Sequence, residues 1–183
     1  MRAFIAVKIP EAARDSLSSM KRLFGPEAGD LRFVKKENIH LTLKFLGEIS
    51  DKAADSAVAA LSGIKFWNFS FSVKNIGFFP NERTARVVWA GIYPEEDAIE
   101  LQRKVDSALE KHGLFRRESG YKPHITIARV KSSCETEKLA GALKNADFSG
   151  ADVSVSSFFL MKSALAAGGP VYEEIAEFKA QPL

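Results

Sequence analysis

Cysteine is all but missing from this chain: there is one, Cys134, in 183 residues. A single thiol closes no intrachain disulfide, so nothing here calls for an oxidising compartment. Nucleophilic thiol chemistry would also want a histidine and an electropositive setting around the sulfur. The polar stretch KSSCETEK reads instead as a loop running into a helix. Long apolar runs are missing too, and no stretch approaches the roughly 18 residues that a membrane span needs. The N-terminal AFIAV is broken by Lys8 and is too short for a secretion signal. The expectation is a cytoplasmic protein that does not engage a membrane. Charge of one sign is not in large excess: 26 Lys and Arg against 23 Asp and Glu leave a formal +3. That balance suits a polyanionic ligand but is far from a nucleic-acid coat.

Apolar and polar residues are arranged in an ordinary globular mixture, and the periodicity predicts both strands and helices. Strands are expected over 3–9, 31–34, 39–46, 69–79, 85–92, 122–130, 152–161 and 171–178. Helices are expected over 10–24, 51–63, 95–112 and 135–145. Ser50 and Asp51 suit a helix start, and Gly113 suits a helix stop. The glycine-rich AAGGP lacks the spacing and lysine of a phosphate loop and reads as a hairpin turn. Helices are too sparse for a doubly wound parallel sheet, so the pattern points to an α+β fold of antiparallel sheets with helices outside. No linker or composition boundary divides the chain, so 1–183 reads as a single domain.

Histidine is also scarce, at three residues, yet two of them stand in one repeated phrase. HLTLKFLG begins at His40 and HITIARV at His124, half a chain apart. The spacing suggests a duplicated, bilobal, pseudo-symmetric architecture with one His-x-Thr motif per lobe, at 40–42 and 124–126. Strict alternation along a strand puts His40, Thr42 and Lys44 on one face and Leu41, Leu43 and Phe45 on the other. In the second copy His124 and Thr126 share a face opposite Ile125 and Ile127. If the lobes face each other, four polar groups converge on one cleft.

Such a set suits displacement at phosphorus. An imidazole with an ordinary pKa of ~6.5 serves as acid or base near neutrality. Two opposed imidazoles deprotonate an attacking oxygen and protonate a leaving one, while the threonine hydroxyls donate to the oxygens between them. A structural role for each histidine, or metal ligation by both, are the competing readings. Zinc usually takes three or four protein ligands, and neither phrase contains Asp, Glu or Cys, so no metal site is expected. His112, at the end of the third helix, suits the helix dipole and reads as structural.

With these flanks, the paired motifs resemble those of the 2H phosphoesterase superfamily, and within it the RNA 2′,3′-cyclic phosphodiesterase (2′-5′ RNA ligase) family. The resemblance runs through MRAFIAVKIP, ENIHLTLKFLGE, IGFFPNERTARVVWAGI, YKPHITIARV and GGPVYEEIAEF. It implies two sheets facing a central cleft and hydrolysis of a terminal RNA 2′,3′-cyclic phosphate to a 2′-phosphate, without metal or other cofactor. By motif, His40 is the proton donor and His124 the proton acceptor, and Thr42, Thr126 and Arg129 bind the phosphate. Arg129 lies on the wrong face by strict alternation, so that role requires a bulge or a strand end. Tyr121 and Lys44 are candidate contacts to base or backbone, with a buried sheet position the other reading of Tyr121. Lys35, Lys36, Arg83, Arg86, Arg116, Arg117, Lys122 and Lys131 lie near the motif strands and suit an RNA backbone. The implied partners are RNA ends, tRNA fragments among them, with no obligate protein partner. Three other readings stay open: 2′-5′ ligation, a small cyclic-phosphate nucleotide such as cyclic ADP-ribose phosphate, and a non-catalytic RNA-binding module.

Overall fold

In the computed structural model, residues 1–24, 31–117, 119–130, 140–141 and 151–182 are described. Their order is β1 (Arg2–Lys8), α1 (Glu11–Ser19), β2 (Leu31–Phe33), β3 (His40–Glu48), α2 (Asp51–Leu61), β4 (Phe69–Phe79) and β5 (Val87–Tyr93). α3 (Glu96–Lys111), β6 (His124–Val130), β7 (Asp152–Val155), β8 (Ser157–Ala166) and β9 (Gly169–Lys179) follow. Of the helix expected over 135–145, only residues 140–141 are described and are helical; the rest, with Cys134 and Lys131, lies outside the described residues.

The strands form an α+β fold with two antiparallel halves. One half runs β9-β8-β1-β3 and the other β6-β5-β4-β7, with β2 also on β6. The halves meet where the two motif strands touch, and the register there is the single pair Leu41↔Ile125. Both side chains are fully buried, and each such burial contributes about 1.5–3 kcal/mol.

The halves are not successive pieces of chain. The single strand expected over 152–161 is instead two strands that part at Ser156. β7 pairs with β4 in one half, whereas β8 pairs with β1 and β9 in the other. An unbroken β pattern in sequence does not reveal that the chain changes partner sheets, because both pieces alternate in the same way.

Local chemistry accounts for the helix ends. Ser50 Oγ accepts a hydrogen bond from Ala53 N at 3.2 Å and caps α2, worth about 1 kcal/mol. Beyond α3, Gly113 takes φ +67°. Its N–H donates to Glu110 O at 2.8 Å, and Leu114 N–H donates to Leu109 O at 3.0 Å. These are the two bonds of a Schellman stop. His112 returns Nδ1 to Ala108 O at 2.8 Å within its own helix, in keeping with a structural role.

α2 and α3 bury alanine and leucine stripes that join Leu41, Leu43, Ile125 and Ile127 in one core. The other face of the sheet carries the cleft. β1 is apolar on both faces for this reason: Ala3, Ile5 and Val7 enter the main core, and Phe4 and Ala6 join Phe159 and Met161 in a second cluster.

Candidate active site

The two motif strands share one irregularity. β1 pairs Ala6 with Thr42 but Ile5 with Lys44, so Leu43 is an extra residue. β5 pairs Trp89 with Thr126 but Val88 with Ala128, so Ile127 is an extra residue at the matching place. A bulge of this kind reverses the phase of every side chain beyond it. Leu43 and Lys44 are therefore both buried, and Phe45 turns out to 60% exposure. Ile127 and Ala128 are likewise both buried, and Arg129 is exposed.

This corrects the face assigned to Lys44. Its side chain is 2% exposed, lies 2.7 Å from Asp106 Oδ1 of α3, and donates to Arg116 O at 3.0 Å. Gln102 donates to the other oxygen of Asp106 at 2.9 Å. Lys44 thus fastens β3 to α3 and does not reach the cleft. Tyr121 is corrected as well. Its hydroxyl donates to Thr42 O at 2.9 Å, its ring packs against the main core, and burial pushes the phenol well above its usual range. It braces the first motif strand rather than offering a face to a base. For Arg129 the bulge supplies what alternation withheld. It lines a cavity of about 430 Å³ together with His40 and Thr126.

The register brings the motifs together crosswise. Leu41 opposes Ile125 in an antiparallel pair, so His40 neighbours Thr126 and Thr42 neighbours His124, all on the cleft face. Each histidine is fixed in the same way. His40 Nδ1 lies 2.6 Å from Asn38 O, and His124 Nδ1 lies 2.8 Å from Lys122 O. A carbonyl only accepts, so Nδ1 carries the proton and Nε2 is left as the reactive nitrogen. Burial is the main cause that holds both imidazoles below their ordinary value, against the carbonyl bonds that raise them. A smaller repulsion comes from His124 at His40 and from the Lys122 ammonium at His124.

Aromatic rings complete each setting, and sequence reasoning missed them. His40 packs against Phe4 at 4.9 Å and edge-on to Tyr172 at 5.4 Å between centroids. His124 packs edge-on to Phe79 at 4.9 Å and lies 6.1 Å from Trp89. Trp89 stacks on Phe79 at 5.0 Å, and Lys122 Nζ sits over its ring at 4.4 Å. Gly77 leaves room for this, since a Cβ there would fall 2.1 Å from the Trp89 ring. The rings come from β1, β9, β4 and β5, distant in sequence from the histidines they hold.

The basic residues divide differently from expectation. Lys35 lines the cavity. Lys36 is engaged by Glu11 and Asp15, and Arg117 by Glu110 at 2.6 Å. Arg83, Arg86 and Arg116 are not among the cavity's described lining residues. Two that are, Arg2 and Arg32, were not anticipated. With Lys35 and Arg129 they make four cations, and no carboxylate is among the described lining residues.

Two opposed, identically tethered imidazoles beside hydroxyls and cations, on a bilobal antiparallel scaffold, define the class of two-histidine phosphoesterases. The chain belongs to the LigT-like phosphoesterase family, whose model matches residues 7–89 and 92–172. A curated relative from Methanothermobacter thermautotrophicus, named RNA 2′,3′-cyclic phosphodiesterase, is 36% identical over 98% of each chain. A relative of the same name from Methanocaldococcus jannaschii is 33% identical over 97% of this chain and 100% of its own. A solved structure from Thermus thermophilus superposes with a TM-score of 0.78 at 28% identity, covering 98% of this chain and 97% of that one.

Proposed function

We propose that the protein hydrolyses the terminal 2′,3′-cyclic phosphate of RNA to a 2′-phosphomonoester, with His40 as acid and His124 as base. The observation that carries this is the matched pair of imidazoles, each with Nδ1 tied to the carbonyl two residues upstream, which leaves Nε2 for the chemistry. Water attacks phosphorus as His124 Nε2 takes its proton. The P–O3′ bond breaks on the opposite side as His40 Nε2 protonates the departing oxygen. Thr42, Thr126 and Arg129 hold the non-bridging oxygens and meet the charge that builds on them.

Two features of the surroundings support this division of labour. The Lys122 ammonium opposes a positive charge on His124, which suits a base. His40 lies on the wall of the cationic cavity, where a bound phosphate anion favours its imidazolium. The exposed ring of Phe45, on the same wall, offers a face on which the terminal base can stack. RNA ends, including cleaved tRNA, are the partners this chemistry takes, and the single cysteine accords with work in the cytoplasm.

Turnover of a short cyclic-phosphate RNA in heavy-oxygen water tests the reading. One heavy oxygen in a 2′-phosphate is expected. A 3′-phosphate product would reverse the assigned ring opening, and RNA binding without turnover would leave a binding module.

A further inference from the structure

Besides Arg129, the cavity of about 430 Å³ is lined by three further cations, Arg2, Arg32 and Lys35. Arg32 on β2 stands directly opposite Arg129 on β6. Directly opposed like charges destabilise a strand pair, and among the described residues no carboxylate is within ion-pair distance of either. Anions bound at the two guanidinium groups offset that repulsion. Arg2 arrives from the other half of the molecule. It shares the cleft face of β1 with Phe4, the residue against His40, and lies about 7 Å farther along the strand. The hydrogen bond from Ile49 N to Met1 O, 2.8 Å, anchors the strand at that end.

Tyr172 lines the same cavity as these groups. Its ring meets His40 edge-on, and its half-buried hydroxyl lies within the fields of both Arg129 and Arg2. Burial raises the phenol above its usual value, and the two guanidinium groups work against that rise. Arg129, which the proposed mechanism places on the reacting phosphate, thus shares with Arg2 and Arg32 a cavity that has no carboxylate among its described lining residues.

We propose that Arg2, Arg32 and the Tyr172 hydroxyl form a second anion subsite, which takes the phosphodiester joining the terminal nucleotide to the one before it. The subsite rests on the hydrolase reading for the identity of its ligand, and it makes the substrate an oligonucleotide rather than a lone nucleoside cyclic phosphate. The guanidinium groups clamp the non-bridging oxygens of that phosphodiester, and the phenol donates to one of them.

The test compares three substrates with wild-type protein: a nucleoside 2′,3′-cyclic phosphate, the dinucleotide bearing the same end, and that dinucleotide with a neutral methylphosphonate linkage. Dissociation constants for the matching 2′-phosphates are measured in parallel. The dinucleotide is expected to exceed the mononucleotide at least tenfold in kcat/KM and in affinity, and the neutral linkage to erase the gain. In Arg2→Gln/Arg32→Gln the ratio of dinucleotide to mononucleotide is expected to fall to near one, with Tyr172→Phe lowering it in part. Equal use of the charged substrates, or a preference that survives the neutral linkage or the double substitution, would overturn the subsite. Tenfold tighter dinucleotide binding without turnover of any substrate would uphold the subsite and count against the hydrolase reading.

Discussion

At the scale of the residue, each histidine has its Nδ1–H held by a backbone carbonyl, which turns Nε2 to the chemistry. Burial holds both below ~6.5, so in the free protein the general acid gives up its proton early as pH rises. The alkaline limb of kcat/KM is accordingly expected below ~6.5. A bound phosphate favours the imidazolium, so the alkaline limb of kcat is expected at higher pH. Initial rates across pH at low and at saturating substrate measure both limbs; a kcat/KM limb above neutrality would contradict the burial argument. The histidines and threonines were legible in sequence because one local phrase occurs twice. Their aromatic neighbours were not, because Phe4, Tyr172, Phe79 and Trp89 reach them only through sheet pairing.

At the scale of the element, the paired bulges decide which residues see the cleft. A bulge is a relation between two strands, and the apolar pattern of one strand does not contain it. Hence Lys44 reads as a cleft residue in sequence and lies in the core in the structure, while Arg129 and Phe45 do the opposite. The core position of Lys44 has a measurable consequence. Lys44→Met would leave the Asp106 carboxylate buried without its ammonium and is expected to cost about 3–5 kcal/mol in urea unfolding. Adding Asp106→Leu is expected to restore most of that loss. A Lys44→Met protein as stable as wild type would show that the pair does not hold β3 to α3. The second element test concerns β4. Gly77→Ala drives a methyl into the Trp89 ring and is expected to cost about 1–3 kcal/mol. Because Trp89 packs beside His124, kcat is expected to fall even where the protein remains folded. Unchanged kcat with reduced stability would separate Trp89 from the positioning of His124.

At the scale of the whole molecule, the site exists only where the two halves join. The α+β class, the antiparallel pairing and the duplicated motif could all be read from strand spacing and the repeated phrase. The crossing at Ser156 could not, since β7 and β8 read as one strand until their partners are known. The cavity's cations come from both halves, Arg2 from one and Arg32 and Arg129 from the other, which composition alone, at +3, does not suggest. Their joint field makes binding depend on salt. The logarithm of the affinity for single-stranded RNA is expected to fall against the logarithm of salt with a slope of about −0.7 per phosphate neutralised. Titrations at several salt concentrations measure it, and a flat response would deny the cavity its electrostatic role.

The central claim is that two histidines open a cyclic phosphate without a metal. The most direct measurement incubates a short RNA ending in a 2′,3′-cyclic phosphate with protein in excess EDTA, comparing wild type with His40→Ala and His124→Ala. The account predicts conversion to the 2′-phosphate by wild type and a loss of about 10²–10⁴-fold in each variant, with the RNA still bound. Failure of the wild type in EDTA with recovery on adding a divalent metal, or full activity in either variant, would contradict it.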